Sequence, residues 1–380
     1  MIKLIYLDNS ATTKPHSEVV SSYIKVNEQY YANPSSNHTF GEQASSLFNR
    51  AKKQCEELIG MPDSRVIFTS GGTESNNLAI KGIAYTRAGA GKHLITTEIE
   101  HPSVLEVFKN LEKDGFDVTY LPVDRDGVIS LENLKNELRS DTILVSIMYV
   151  NNETGSIQPI HEAGELIHSY SQALFHSDAV QAFGKIKTDF RSLDLMTLSA
   201  HKFHGMKGSG LLAVKNGIQL APEMLGGGQQ EGDRSGTVNT PGTVALAKAM
   251  RLTVEGQLAA SENLKKYHIM LRDFFTHQAE VTLISPERAA PHILSVSVPG
   301  LTGEVVVHAL AQKDVYITTS SACSSKLNKK SHVLTACRVS DRAIRGAVRI
   351  SMSTMQSAED IQEFMTRWQE VIPPLLKGVK

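Results

Sequence analysis

The segment RVIFTSGGTESNNLAIKGIAYTRAG, residues 65–89, decides the fold class. It opens on RVIFT, a short apolar run that reads as a strand. The stretch NNLAIKGIAYTRAG carries apolar residues at helical spacing. Between them lies SGGTES, residues 70–75, a glycine-rich turn. A strand that passes through a small-residue turn into a helix is half of a βαβ unit.

The same alternation extends in both directions. Residues 40–59 have helical spacing, and Gly60 stops them. KHLITT, a helix-like 102–114, DVTYLPV, a helix-like 130–139 and TILVSIMYV follow. Further short apolar runs occupy 173–177, 194–198 and 210–214. The pattern predicts an α/β domain with a mainly parallel sheet over residues 15–255. Residues 241–278 form one long helical pattern, with Gly242 and Gly256 inside it, suited to bridging two domains. Beyond it, ILSVSVP, VYITTS and AVRISMS are strands among helices. They predict a smaller α+β domain from residues 1–14 and 256–380.

Bulk composition narrows the class. A chain of 380 residues fits two domains. With 41% hydrophobic and 21% charged residues, disorder and collagen-like sequence are excluded. The net charge of -1 gives no basic excess, so direct binding to nucleic acid is not expected. Three cysteines, Cys55, Cys323 and Cys337, are too few and too odd for a disulfide framework, and they predict a reducing compartment. MIKLIYLDNS lacks the apolar core of a secretory signal. No stretch approaches the roughly 20 apolar residues of a membrane span. A soluble, cytoplasmic protein without membrane contact is the expectation.

Loops that follow parallel strands are where ligands sit. In SGGTES the glycines let backbone N–H groups approach an anion, the helix supplies its positive end, and Thr73 adds a hydroxyl. The alternative is a plain turn with Thr73 as a helix cap. An ATP-type loop is excluded, because the lysine and spacing of that motif are absent. HSDAVQ, residues 176–181, places Asp178 and Gln181 after a strand. SAHKFHG, residues 199–205, places Ser199, His201 and Lys202 after the next one.

A carboxylate and a lysine at neighbouring strand ends can face one cleft. A buried lysine readily becomes a neutral amine able to form a Schiff base. A carboxylate beside a pyridine nitrogen keeps that ring protonated. Lysine, aspartate and phosphate loop together are what pyridoxal phosphate requires. Lys202 as a noncovalent phosphate ligand or a surface charge, and Asp178 as a helix cap, are the competing readings. His101, in EIEHPS, can stack on a flat ring or move protons, or be structural. Metal is not expected, since no close histidine pair finds a third ligand at zinc spacing.

TTSSACSSKL, residues 318–327, surrounds Cys323 with small hydroxyl residues that suit an exposed loop. A thiol there can ionise and attack. Cys337, also among polar residues, is the rival; Cys55 sits on an apolar helix face.

These motifs run in one order: YLDNSATT, NPSSNH, FTSGGTESNNLAIKG, EHPSV, YVNNETG, HSDAVQAFGK, SAHKFHGMKGSG, GGGQQEGDRSGT and SSACSS. Together they resemble, nearly end to end, the cysteine desulfurases of the NifS/IscS type, class V aminotransferase relatives among the fold-type I pyridoxal phosphate enzymes. The resemblance implies a large domain with a mainly parallel seven-stranded sheet plus a smaller α+β domain. It implies Lys202 as the Schiff-base lysine and His101 stacked on the ring and moving protons. Asp178 would pair with the ring nitrogen and Gln181 with the ring oxygen. Thr73, Ser199 and His201 would hold the phosphate, and Thr237 would reach the phosphate of a neighbouring subunit in a homodimer. Asn152 and Arg349 would hold the carboxylate of L-cysteine, an Arg fork suiting that group. Cys323 would accept the sulfur and leave alanine.

The persulfide would pass to an acceptor protein, either an iron–sulfur scaffold or a tRNA-thiolating enzyme. Two departures stand out: Ser320 where the family's first group usually has glycine, and GGTESNN for a commoner GATESDN-like form. Within the same fold, an aminotransferase or a lyase acting on selenocysteine or kynurenine would not need Cys323. A sulfur-relay scaffold would not need Lys202.

Overall fold

The computed structural model describes residues 3–320 and 330–379. The chain begins with β1 (Ile5–Tyr6), α1 (Ser17–Gln29) and α2 (Thr39–Leu58). It continues through β2 (Ser64–Thr69), α3 (Gly72–Arg87), β3 (His93–Thr97), α4 (Pro102–Lys113), β4 (Asp117–Leu121), α5 (Leu131–Glu137), β5 (Thr142–Ser146) and α6 (Ile160–Tyr170). Strands β6 (Leu174–Asp178), β7 (Leu195–Ser199) and β8 (Gly210–Lys215) follow, then the long α7 (Thr240–Thr276). The remainder comprises β9 (Thr282–Leu283), β10 (Ile293–Ser297), α8 (Gly303–Ala311), β11 (Val315–Tyr316), β12 (Thr318–Thr319), α9 (His332–Ala336), α10 (Asp341–Arg345), β13 (Ala347–Ser351) and α11 (Ala358–Val379).

Seven strands form one sheet in the order β2-β8-β7-β6-β5-β3-β4. The pairs among β3 to β7 are parallel, whereas β8 runs antiparallel to both its neighbours. The sheet is therefore mixed, and mainly parallel as expected. Its strands send residues into two cores, because successive side chains leave opposite faces. Ile67, Leu94, Leu144, Leu195 and Leu212 pack with α3 and α4. Val66, Ile95, Val145, Met196 and Ala213 face the other way. A strand buried on both faces reads as an unbroken apolar run, which is why RVIFT was legible.

A third core joins Ile5 and Leu7 to Leu264, Leu271, Phe275, Val348, Ile350, Phe364 and Trp368. It covers the four-stranded sheet β12-β13-β10-β9. Phe275 and Trp368 meet edge to face at 4.8 Å, a geometry contributing about 0.5–1.5 kcal/mol beyond burial. Helix α7, about 55 Å long from its rise per residue, links the cores. Its Ala245, Leu246 and Met250 belong to the large sheet's core, and Leu264 and Leu271 to the other.

Among the described residues no helix is long and apolar enough to cross a membrane.

Candidate active site

The ends of β2, β3, β5, β6 and β7 open onto one cavity of about 570 Å³. Chain order reverses beside β3, where the chain runs out to β4 and returns as β5, the kind of place where open α/β sheets bind ligands. Thr73, His101, Asn152, Asp178, Gln181, Ser199, His201, Lys202 and Arg349 all line this cavity. Thr237 is exposed and does not line it. Cys323 lies outside the described residues; Ser320 lines the cavity.

Lys202 stands on a short 3-10 turn directly after β7. Gly205 packs back on that turn so closely that a Cβ there would sit 2.7 Å from the Ala200 Cβ. The Lys202 Nζ donates to the carbonyls of Ser10 at 2.6 Å and Ala11 at 2.7 Å. The amine is thus placed by YLDNSATT, a segment whose contribution no spacing rule discloses.

Asp178 ends β6 and is buried. Its Oδ1 accepts from the Val180 N–H at 3.0 Å, and its Oδ2 accepts from Asn76 Nδ2 at 2.9 Å. Asn76 Nδ2 also reaches Ser103 Oγ at 2.9 Å. Ser103 Oγ lies 2.8 Å from His101 Nδ1, and the Ser103 N–H donates to the same nitrogen at 3.1 Å. A backbone N–H can only donate, so Nδ1 is an acceptor and the neutral ring keeps its proton on Nε2. Burial lowers the His101 pKa, Asp178 opposes that shift, and Lys202 and His332 add to it. His101 is therefore a neutral imidazole in a polar chain that ends on Asp178. Asn76 and Ser103 were absent from the sequence-derived site, although both sit in its motifs.

Arg349 reaches the cavity from β13, where it pairs with Ser295 and Thr318. Its Nη1 donates to the Asn152 carbonyl at 2.8 Å, and its Nη2 pairs with Asp8 Oδ1 at 3.0 Å. Glu100, Glu106 and Glu153 also line the cavity. Burial pushes Glu100 up to about 8, against hydrogen bonds from the Met148 N–H and Thr97. Glu153 is pushed up to about 7 by burial, opposed by Ser331 and Arg349.

An adjoining cavity of about 440 Å³ is lined by Gly71, Gly72, Thr73, Ser199, His201 and Lys207. Here the cap of α3 is Gly71, with no side-chain cap bond, so Thr73 is not the helix cap. The first turn presents its N–H groups, and helix N-termini attract anions. Gly210 lets the backbones of β8 and Gly71 touch: a Cβ on Gly210 would lie 2.6 Å from the Gly71 Cα.

Four buried polar atoms on the larger cavity have no partner among the described residues: Ser10 Oγ, Glu100 Oε2, Ser320 Oγ and Arg349 Nε. Leaving such groups unsatisfied costs about 1–3 kcal/mol each, so the cavity is built for a polar guest. An amine, a carboxylate at a neighbouring strand end and an anion pocket match what pyridoxal phosphate requires. Among the described residues no three His, Cys, Asp or Glu side chains cluster as a metal site.

The two described cysteines are buried and free. Cys337 packs in the large core, and burial pushes its thiol up to about 12, with Glu153, Asp124 and Asp126 adding to the shift. Burial raises Cys55 as well. A thiol so disfavoured as thiolate is a poor nucleophile, so the polar neighbours of Cys337 in sequence do not report its environment.

Comparison with known proteins agrees with this geometry. The aminotransferase class-V family model matches residues 5–364. A NifS/IcsS protein homolog of Lactobacillus delbrueckii is 42% identical, covering 97% of each chain. The cysteine desulfurase IscS of Methanosarcina thermophila is 40% identical over 100% of this chain and 93% of its own. A solved NifS-like protein superposes with a TM-score of 0.91 at 36% identity, covering 97% of this chain and 99% of that one. SspA, solved in complex with cysteine, gives 0.81 at 33% identity over 93% and 100%. With full-length identity at this level and the same fold, the chain belongs to the aminotransferase class-V family, among its cysteine desulfurases of the NifS/IscS type.

Proposed function

We propose that this chain is a pyridoxal phosphate-dependent cysteine desulfurase that moves sulfur from L-cysteine to Cys323 and releases L-alanine. The observation that carries the reading is the convergence of Lys202, His101, Asp178 and Arg349 on one cavity with unsatisfied polar walls.

Lys202 would hold the cofactor through its amine, Asp178 its ring nitrogen and Gln181 its ring oxygen. Thr73, Ser199 and His201 would hold its phosphate. When bound, pyridoxal phosphate supplies an electron sink for the pair left at the substrate Cα. Arg349 and Asn152 bind and orient the substrate carboxylate. Lys202, as a free amine, would take the Cα proton. His101, with its proton on Nε2, would return a proton to substrate carbon or sulfur. The Cys323 thiolate attacks the substrate sulfur: an S–S bond forms, the C–S bond breaks, and its pair and a proton end on the carbon skeleton.

The fuller reading is a cytoplasmic homodimer that hands its persulfide sulfur to an iron–sulfur scaffold or a tRNA-thiolating enzyme. The exposure of Thr237 outside its own cavity supports its service to a second subunit.

Mass spectrometry after cysteine treatment tests the reading. One added sulfur on the Cys323 peptide, with alanine released, is expected. Alanine formation at the normal rate by C323A, with no sulfur gained by the normal protein, would refute it. Borohydride reduction should leave the pyridoxyl group on Lys202.

A further inference from the structure

A second lysine lies beneath the first, and the mechanism above does not use it. Lys185 is 6% exposed, and among the described residues no carboxylate is bonded to it. Burying a lysine is costly, and such residues stay where something holds them. Gly184, at φ +73, turns the chain there. A Cβ at Gly184 would collide with the Thr253 Cγ2 on α7, so the turn fits tightly under that helix and delivers Lys185 inward.

The Lys185 Nζ donates to Gln181 Oε1 at 2.9 Å and faces the Val180 carbonyl at 3.5 Å. At its other end, Gln181 Nε2 donates to the Ser10 carbonyl at 2.9 Å. A carbonyl can only accept, so the amide of Gln181 has one allowed orientation: oxygen toward Lys185, nitrogen toward Ser10 and the cavity. That carbonyl of Ser10 also receives Lys202. The two lysines share a small cavity of about 10 Å³ as well, with room for about one water.

We propose that Lys185 is a positioning residue that locks the Gln181 amide, so that an N–H and not a carbonyl oxygen is presented to the guest of the active-site cavity. The inference rests on the proposed pyridoxal phosphate site, whose ring carries an acidic oxygen. An N–H aimed at that oxygen stabilises its anion. A flipped amide would set oxygen against oxygen and favour the protonated form. Among the described residues, the titratable groups facing Lys185 are Lys202, His201, His204 and His292, none of them acidic.

The test uses the reconstituted protein and two readouts other than turnover: affinity for pyridoxal phosphate and the pH midpoint of the bound cofactor's visible absorbance. K185M removes the donor with little change in shape. It should bind the cofactor about tenfold more weakly, as loss of one oriented hydrogen bond predicts. The absorbance midpoint should rise by about half a unit to one unit. K185Q keeps an N–H for Gln181 Oε1 but has no charge, and should titrate like the normal protein. In a Q181L background, K185M should add nothing. The proposal is overturned if K185M folds normally and its midpoint and affinity are unchanged. A shift of the same size in Q181L also overturns it. Should K185M fail to fold, K185Q decides alone, and a shifted midpoint there rejects the proposal. A normal protein that binds no pyridoxal phosphate sinks the functional reading instead.

Discussion

Arg349 Nη2 donates to Asp8 Oδ1 across 3.0 Å, the guanidinium side chain 4% exposed and the carboxylate 21% exposed. In the proposed function the same fork takes the substrate carboxylate. Burial raises the Asp8 pKa, and Arg349 opposes the shift. On that proposal, Asp8 and substrate would compete for one cation. D8N should lower the KM for cysteine with kcat little changed, and should cost about 1–3 kcal/mol of stability, because the buried Arg349 loses a charged partner. Steady-state kinetics and urea unfolding check both. A KM that rises instead means Asp8 orients the fork and does not compete for it.

Glu100 ties stability to pH. Its carboxyl titrates near 4.5 when unfolded and is pushed up to about 8 in the fold. The folded state therefore holds the extra proton between those values. Its contribution is complete below about 4.5 and is lost as pH rises through 8. In E100Q that loss disappears. Unfolding of cofactor-free protein at pH 5 and pH 9 should show E100Q gaining on the normal protein by a few kcal/mol at the higher pH, on the order set by linkage. Equal differences at both pH values would show that Glu100 stays ionised.

Much of this architecture was legible because strands buried on both faces read as apolar runs, and β2, β6 and β7 end at loops of small or polar residues. That is how Asp178, Ser199 and Lys202 could be assigned to neighbouring strand ends. What periodicity could not supply was contact across the chain. Asp8 and Ser10 meet residues 341 and 192 positions away, and no local pattern encodes that. Asn76 and Ser103 look like ordinary helix-start residues, yet one amide joins Asp178 to His101 through them. The two thiols divided by burial, which sequence reports only through periodicity. Cys55 showed it on its helix, but Cys337, at the end of the five-residue α9, had too short an element to show any.

The Cys337 environment makes a direct prediction. With its thiol pushed up to about 12, it should resist iodoacetamide at pH 8 in the folded protein. Denaturation should expose it. C337A should keep full desulfurase activity and lose about 1–2 kcal/mol, the cost of a small cavity. Peptide mapping of the alkylated protein checks the first point. Loss of persulfide formation in C337A would assign it a role that its burial argues against.

The contact between Gly210 and Gly71 is where fold and anion pocket meet. A Cβ on Gly210 would lie 2.6 Å from the Gly71 Cα and 2.8 Å from the Leu198 carbonyl. Both are backbone atoms of packed elements, so neither can give way as a flexible side chain would. G210A should therefore push the start of β8 away from the turn that precedes α3. Overpacking of this kind costs about 1–3 kcal/mol. Displacing the turn also misdirects the N–H groups of the first helical turn, so pyridoxal phosphate and inorganic phosphate should both bind more weakly. Gly89 is the control: a Cβ there meets nothing within 4 Å, and its φ is not positive. G89A should be neutral or more stable by about 0.4–1 kcal/mol, through a less flexible unfolded chain. Calorimetry of both variants with phosphate separates the cases. If G210A binds phosphate as the normal protein does, the pocket is not built on that backbone contact.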